Sequence, residues 1–476
     1  MRILIERLQF LLSVDAHDRV IADAAVLIED DRVADLGVTA EVLARHGRSA
    51  FDRIVDGRRR GMCPGFIDSH VHLSETLSRG MFPDNLDTRT WVFHWAKPFY
   101  AHVETGDEQV SVLLACTEML RSGTTCFLDM GAQNDPAGTI AAIERSGIRG
   151  ITGIHAADTP PATLPSGWTE EMIRHHFFPS AREALEALGR TVERWHNSAS
   201  GRIRCWVNIE GKEPCSLELH VGARRLAEQH GVGTTYHLAT SIEEARLSEK
   251  KYGKWPVQRV ADAGGLGSNL VIAHAVALTD GERQLLAEND TKVAFCPGTS
   301  LKLAKGATVF GRYPELIEAG VTVSLGTDGV SASGNLNLMR QMYVAAGLFK
   351  DGRNDAGMIG ARKALRMATI DGARALGWSD EIGSLEVGKK ADFVLFDLDH
   401  VEWTPYGDPL QTLVWSASSA SIAETWVNGQ PLYRDGRILT VDEEALRCEA
   451  RVRCADIQRR AGLMRGNTPL TTSLYT

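Results

Sequence analysis

The stretch GFIDSHVHL (65–73) places two histidines, His70 and His72, one residue apart at the end of an apolar run suited to a buried strand. In a strand, residues i and i+2 point to the same face, so both imidazoles project to one side. Outward from this stretch, short β-branched or apolar runs recur as far as Gly329: FIDSHVH (66–72), TTCFLDM (124–130), RGITGIHA (149–156), IRCWVNIEG (203–211), GTTYHLAT (233–240), NLVIAHAV (269–276), TKVAFCPG (291–298) and TVSLGTDG (322–329). The segments between them have helical spacing. In DEQVSVLLACTEMLRSG (107–123), Val110, Leu113, Leu114 and Thr117 share one face, and Gly123 stands where a C-cap glycine belongs. YPELIEAG (313–320) likewise ends on Gly320 just before the eighth run. Alternating strand and helix predicts parallel strands with crossover helices, and eight such units closing on themselves make a (β/α)8 TIM barrel over residues 65–377, an α/β fold.

The flanks read differently. ADAAVLIEDDRVADLG (22–37), IVDGRRRGMCPG (54–65), IGSLEVGKKADFVLFD (382–397) and ETWVNGQPLYRDGRIL (424–439) carry short alternating strands with turn signals. Asn428-Gly429 and Asp435-Gly436 are hairpin dipeptides. Strand-rich pieces at both ends predict one small β-sandwich domain assembled from residues 1–64 and 378–440. Residues 441–476 read as a helical extension to about Arg465, followed by a tail.

With 476 residues, 43% hydrophobic and 24% charged, the composition is that of a globular chain with a large core. The net charge of −9 is spread along the sequence, which argues against a nucleic acid or an anionic membrane as partner and for a small-molecule substrate. The opening MRILIERLQFLL is interrupted by Glu6 and Arg7 and reads as a strand rather than a signal peptide. No run reaches the roughly 18 apolar residues of a membrane span. The eight cysteines sit singly, without disulfide or CxxC spacing, which predicts a reducing compartment and hence the cytoplasm.

Barrel active sites lie at the C-terminal ends of the strands, so the polar residues that end the runs matter most. His70 and His72 end the first, His237 the fifth, His274 the sixth and Asp328 the eighth. Neutral imidazoles with one carboxylate suit a divalent ion, Zn(II) first, with Fe(II), Co(II), Mn(II) or Ni(II) as alternatives.

With these residues in place, the chain resembles the amidohydrolase superfamily, in its branch of chlorohydrolases, ring deaminases and related hydrolases. The resemblance rests on CPGFIDSHVHL (63–73), LRSGTTCFLDM (120–130), YHLAT (236–240), IAHAV (272–276), FCPGTSLKLAKG (295–306) and SLGTDG (324–329), with GSLEVGKKADFVLFD (383–397) and WVNGQPLYRDG (426–436) matching the β domain. It implies that His70, His72, His237 and Asp328 hold one metal ion. It further implies that Asp328 accepts a proton from the activated water and that His274 hydrogen-bonds the water or the developing oxyanion. Relatives commonly form homo-oligomers, which is the expectation here.

Two departures bear on the reaction. Deaminase-like members carry glutamate three residues after the fifth-strand histidine, whereas this chain has Thr240, which lines the expected substrate pocket but cannot serve as a general acid; Glu243 and Glu244 follow, in what reads as the next helix. In the fourth run, Lys212 stands where Gly-Pro is usual. Carboxylated, it would bridge a second ion bound by His237 and His274; otherwise it is a surface lysine or a cationic substrate contact, and Glu210 and Glu213 read as its partners in solvent. His155 is a candidate pocket residue, and the aromatic stretch RTWVFHWAKPFY (89–100), with His94, a candidate pocket wall. His175 and His176 read as solvated, and Asp129 as a support of the barrel.

Loss of the glutamate favours hydrolysis of a non-peptide C–N bond in an amide, urea or carbamate-like compound, close in character to the phenylurea and thiocarbamate hydrolases. The alternatives are a deaminase or dechlorinase of a nitrogen heterocycle, and an inert barrel used as a binding scaffold.

Overall fold

The computed structural model describes residues 1–463, so the tail from 464 onward, expected as part of the C-terminal extension, lies outside the described residues. The barrel strands run Phe66–Val71, Thr124–Asp129, Arg149–Thr152 with His155–Ala156, Ile203–Cys205 with Val207–Gly211, Thr234–Leu238, Leu270–His274, Lys292–Phe295 and Val323–Leu325. Neighbouring strands pair in parallel along this series. Packed on both faces, the first and second strands are buried at every residue, which explains their near-continuous apolar runs.

The third and fourth strands are each interrupted at the same level. The Trp206 amide donates to the Thr152 carbonyl (2.9 Å), and a Cβ at Gly153 would lie 2.7 Å from the Trp206 carbonyl oxygen. Only glycine admits that approach. The eighth strand returns to the first through the Asp328 amide, which donates to the His70 carbonyl (2.8 Å), and the Thr327 amide, which donates to Asp68 Oδ1 (3.0 Å).

Both termini contribute to one mixed, nine-stranded sheet, joined where Phe393–Asp397 runs antiparallel to Arg60–Pro64. Ile3, Ile5 and Val26 from the N-terminal part share a core with Phe393, Leu395 and Trp426 from the C-terminal part. The two expected hairpin turns have positive φ at both central residues (Asn428 51°, Gly429 68°; Asp435 48°, Gly436 81°), the type I′ signature. Arg149 of the third barrel strand holds this sheet to the barrel: its Nε donates to Asp392 Oδ2 at 2.9 Å, with both side chains buried.

The long helix Thr105–Arg121 opens with a capping box between Glu104 and Asp107 and gives way to Gly123 at φ 84°. The helix Glu443–Arg460 lies against it, and Arg453 and Arg460 both pair with Asp107.

Candidate metal and active site

The barrel brings His70, His72, His237, His274 and Asp328 to one point at the C-terminal rim, all five buried. The rings of His72 and His237 stack at 5.2 Å, those of His237 and His274 at 5.6 Å, and His70 meets all three edge-on at 5.0–5.3 Å. Asp328 Oδ1 lies 3.5 Å from His70 Nε2 and 3.4 Å from His72 Nε2, and its Oδ2 is 3.7 Å from His274 Nε2.

Local backbone geometry aims these groups. His274 and Asp328 have left-handed φ of 76° and 60°, a conformation costly for non-glycine residues and held here by the surrounding strands. Tyr313 donates its hydroxyl hydrogen to the His274 carbonyl (2.6 Å), and the Gly329 amide donates to Asp328 Oδ1 (2.8 Å). His237 Nδ1 lies 2.7 Å from the Glu210 carbonyl, so it is the donor nitrogen and Nε2 keeps its lone pair for the cluster.

Electrostatics agree with a cation-binding role. Burial holds His72 down to about 3 and pushes His237 and His274 well below the usual imidazole range, so all three are neutral donors at pH 7. Burial alone would raise the Asp328 carboxyl, but the His70 imidazole beside it, then His274 and His72, hold it well below the carboxylate range. Both nitrogens of His70 and Nδ1 of His72 are buried without a hydrogen-bond partner among the described residues. His72 Nε2 and His237 Nε2 face each other at 3.2 Å. Ligand atoms of His70, His72 and His237 lie within 4.8 Å of one another, as do those of His70, Cys296 and Asp328. Orphaned imidazole nitrogens converging with a carboxylate fit a divalent ion.

A cavity opens over this cluster, lined among others by Trp91, Lys97, Tyr100, His155, Lys212 and Lys305. The aromatic stretch therefore forms a wall, as a helical segment with a π-helical turn at Trp91–Ala96; His94 points outward and is exposed. His155 lines the cavity with Nε2 2.8 Å from Glu210 Oε2.

Several residues lie elsewhere than the sequence reading places them. Glu210 is not a solvent partner of Lys212: it is 5% exposed, and Lys97 Nζ reaches its Oε2 at 2.8 Å. Glu213 pairs with Arg89 and Lys251 instead of Lys212. Thr240 is absent from the residues lining the cavity, because its amide and hydroxyl both donate to Glu244 Oε2 at 2.7 Å and turn it toward the following helix. His176 is buried rather than solvated, its Nε2 2.8 Å from the Lys97 carbonyl. Asp129 accepts from the Leu73 amide and the Thr152 hydroxyl, tying strand ends together.

Sequence reasoning missed Glu75, Lys97 and Lys305. Glu75 Oε1 accepts from the amide and hydroxyl of Ser331, and its Oε2 accepts from the Tyr100 hydroxyl at 2.7 Å. A Cβ at Gly329 would overlap this carboxylate, so glycine next to Asp328 makes room for it. Burial, then Asp328, raise Glu75 to about 7. Its position three residues past His72 was the only available signal.

A fold and rim cluster of this kind define a metal-dependent barrel hydrolase. The chain belongs to the amidohydrolase family, whose match spans residues 62–432. It is a hydrolase of carbon–nitrogen bonds other than peptide bonds. A 5'-deoxyadenosine deaminase of Methanosarcina acetivorans is 32% identical over 95% of this chain and 98% of its own length. A 5-methylthioadenosine/S-adenosylhomocysteine deaminase of Moorella thermoacetica is 33% identical over 90% and 94%. Among solved structures, an adenosine deaminase from Xanthomonas campestris with bound zinc superposes with a TM-score of 0.84 at 29% identity, covering 96% of this chain and 98% of that one. The zinc complex of an atrazine chlorohydrolase from Arthrobacter aurescens shares the fold (TM-score 0.84, 24% identity, 95% and 100% covered). The two curated relatives are deaminases, not the phenylurea and thiocarbamate hydrolases to which the sequence reading leans.

Proposed function

We propose that the protein is a metal-dependent deaminase of a nitrogen heterocycle, converting a ring amine and water to a ring carbonyl and ammonia. The observation that carries this reading is the convergence of His70, His72, His237, His274 and Asp328 at one rim, in a chain that aligns over nearly its whole length with adenine-nucleoside deaminases. His70, His72, His237 and Asp328 would hold one divalent ion, zinc by analogy with the zinc-bound relatives. Such an ion would supply a Lewis acid and bring the pKa of a bound water down to about 7.

The chain's own groups divide the remaining work. Asp328 Oδ1 faces His70, His72 and the Gly329 amide, which leaves Oδ2 on the His274 side to accept a proton. On that same side His274 would hydrogen-bond the oxygen that the attacking water delivers to the ring carbon, steadying charge that develops only in the transition state. With Thr240 unable to act as an acid, Glu75 is the cavity carboxyl that carries a proton near neutral pH and can protonate the ring nitrogen.

Thr240 also favours a second reading, the cleavage of an amide, urea or carbamate, where no ring nitrogen needs a proton. Assaying the zinc-loaded enzyme against aminopurines, aminopyrimidines, pterins, ureas and carbamates separates the two. Ammonia release from an aminated ring is expected; release of organic amines alone would overturn the deaminase. About one ion per chain by mass spectrometry is the expected metal content. A content near zero that reconstitution leaves unchanged would point to an inert scaffold, and near two to a carboxylated Lys212 bridging a second ion through His237 and His274.

Because the metal competes with protons for imidazoles that resist protonation in the fold, ion loss sets in only as pH falls toward the depressed folded values. Dialysis at graded pH should leave the metal content unchanged down to about pH 5. Release centred near pH 6.5, the ordinary imidazole value, would contradict this.

A further inference from the structure

Lys305, in the loop after the seventh barrel strand, is 4% exposed and lines the cavity beside His274 and Asp328. Its ammonium makes no hydrogen bond or ion pair with any described residue, unlike Lys97, which is held by Glu210, and Lys302, which donates to the Ser331 carbonyl at 2.6 Å. Burying a cation without a partner costs several kcal/mol, so an unpaired one in a cavity calls for a counter-charge from outside. Asp328 attracts it through space, but lies beyond ion-pair distance and turns its oxygens to the histidines.

Lys212 adds a second cation to the same cavity. It follows Gly211, at φ 78°, where a Cβ would come within 2.2 Å of the His237 carbonyl oxygen, and has itself a left-handed φ of 56°. This kink ends the alternation of the fourth strand, so Lys212 and Glu210 part company. The nearby carboxylates are all engaged: Glu210 by Lys97 and His155, Glu213 by Arg89 and Lys251, Glu75 by Tyr100 and Ser331. Lys212 therefore also lacks a partner among the described residues, and the two ammonium groups repel one another across the cavity.

We propose that Lys305 and Lys212 form an anion subsite beside the metal cluster that selects substrates carrying a carboxylate on the heterocycle. This deepens the deaminase reading and rests on it for the identity of the ring. The carboxylate supplies the charge the protein omits, and an ammonium group gives it a charge-assisted hydrogen bond. The subsite is a specificity device: it holds a non-reacting group so that the reacting carbon stands over the cluster.

The test is calorimetric titration of the zinc-loaded enzyme with a matched pair of rings, orotate and uracil, which differ by the carboxylate. A charge-assisted contact predicts that orotate binds at least about tenfold more tightly. In K305M and K212M the ratio should fall to about twofold or less, and K305R should keep it. Equal affinity in the unaltered enzyme overturns the subsite. So does a preference that survives K305M/K212M, since the metal alone would then hold the carboxylate. Metal content and thermal melting of each variant accompany the titration; if K305M fails to fold, K212M, whose side chain is only half-buried, decides the question by the same ratio. Ammonia release is scored separately: a carboxylate preference without any deamination would leave the subsite standing and remove the deaminase reading.

Discussion

Asp328→Asn lowers turnover by about 10⁴-fold and leaves the fold intact, the upper range for loss of a positioned general base. Asparagine preserves the shape and still accepts the Gly329 amide hydrogen at Oδ1, so the left-handed turn at the eighth strand end persists. What disappears is the charge facing His70 and His72 and the oxygen beside His274 that can hold a proton. A neutral amide in place of a ligating carboxylate also weakens the metal, so activity is compared at saturating zinc. The checks are kcat/KM on the substrate found by screening, metal content, and the thermal melt. Activity within tenfold of the unaltered enzyme would remove Asp328 from the proton path.

Lys97→Met destabilises the protein by about 3–5 kcal/mol, the usual penalty for breaking a buried ion pair from one side. Lys97 Nζ and Glu210 Oε2 meet at 2.8 Å with their side chains 6% and 7% exposed, so the remaining carboxylate cannot turn to water. His155 Nε2, 2.8 Å from Glu210 Oε2, stays as the remaining side-chain partner of that carboxylate among the described residues. Burial pushes the Glu210 carboxyl up, yet Lys97 and His155 together hold it well below the usual range, which shows how strongly the anion depends on these neighbours. The effect reaches the rim cluster because the Glu210 carbonyl orients His237. Urea denaturation of K97M, E210Q and K97M/E210Q measures it, and the double variant should recover much of the loss by removing both charges. Equal, additive losses in the two single variants would mean that the two charges do not depend on each other.

Much of this architecture was readable from local chemistry. The eight apolar runs, the helical spacing between them and the Asn-Gly and Asp-Gly turns follow from periodicities and φ preferences that act within a few residues. The convergence of His70, His72, His237, His274 and Asp328 was also legible, because a closed parallel barrel sends every strand's C-terminal end to one rim.

Pairings across the barrel mouth were not legible. Lys97 and Glu210 are 113 positions apart, and nothing around either residue distinguishes a buried partner from a solvated one. Glu210 and Lys212 look like a same-face pair by strand alternation, but the kink at Gly211 and Lys212 breaks that rule. Thr240 looks like a pocket residue until Glu244 folds back onto it. Lys305 lies in the motif FCPGTSLKLAKG (295–306), and nothing around it in the sequence tells a buried lysine from a solvated one.

The sequence by itself determined the barrel, the strand-rich domain drawn from both termini, and which imidazoles and carboxylate meet at the rim, since each depends on short-range periodicity and on a topology with one functional end. Only the tertiary structure decided which charges are paired and which are left bare. Burial and partner distance, not residue type, set the cost of a charge, and both are properties of the closed cavity.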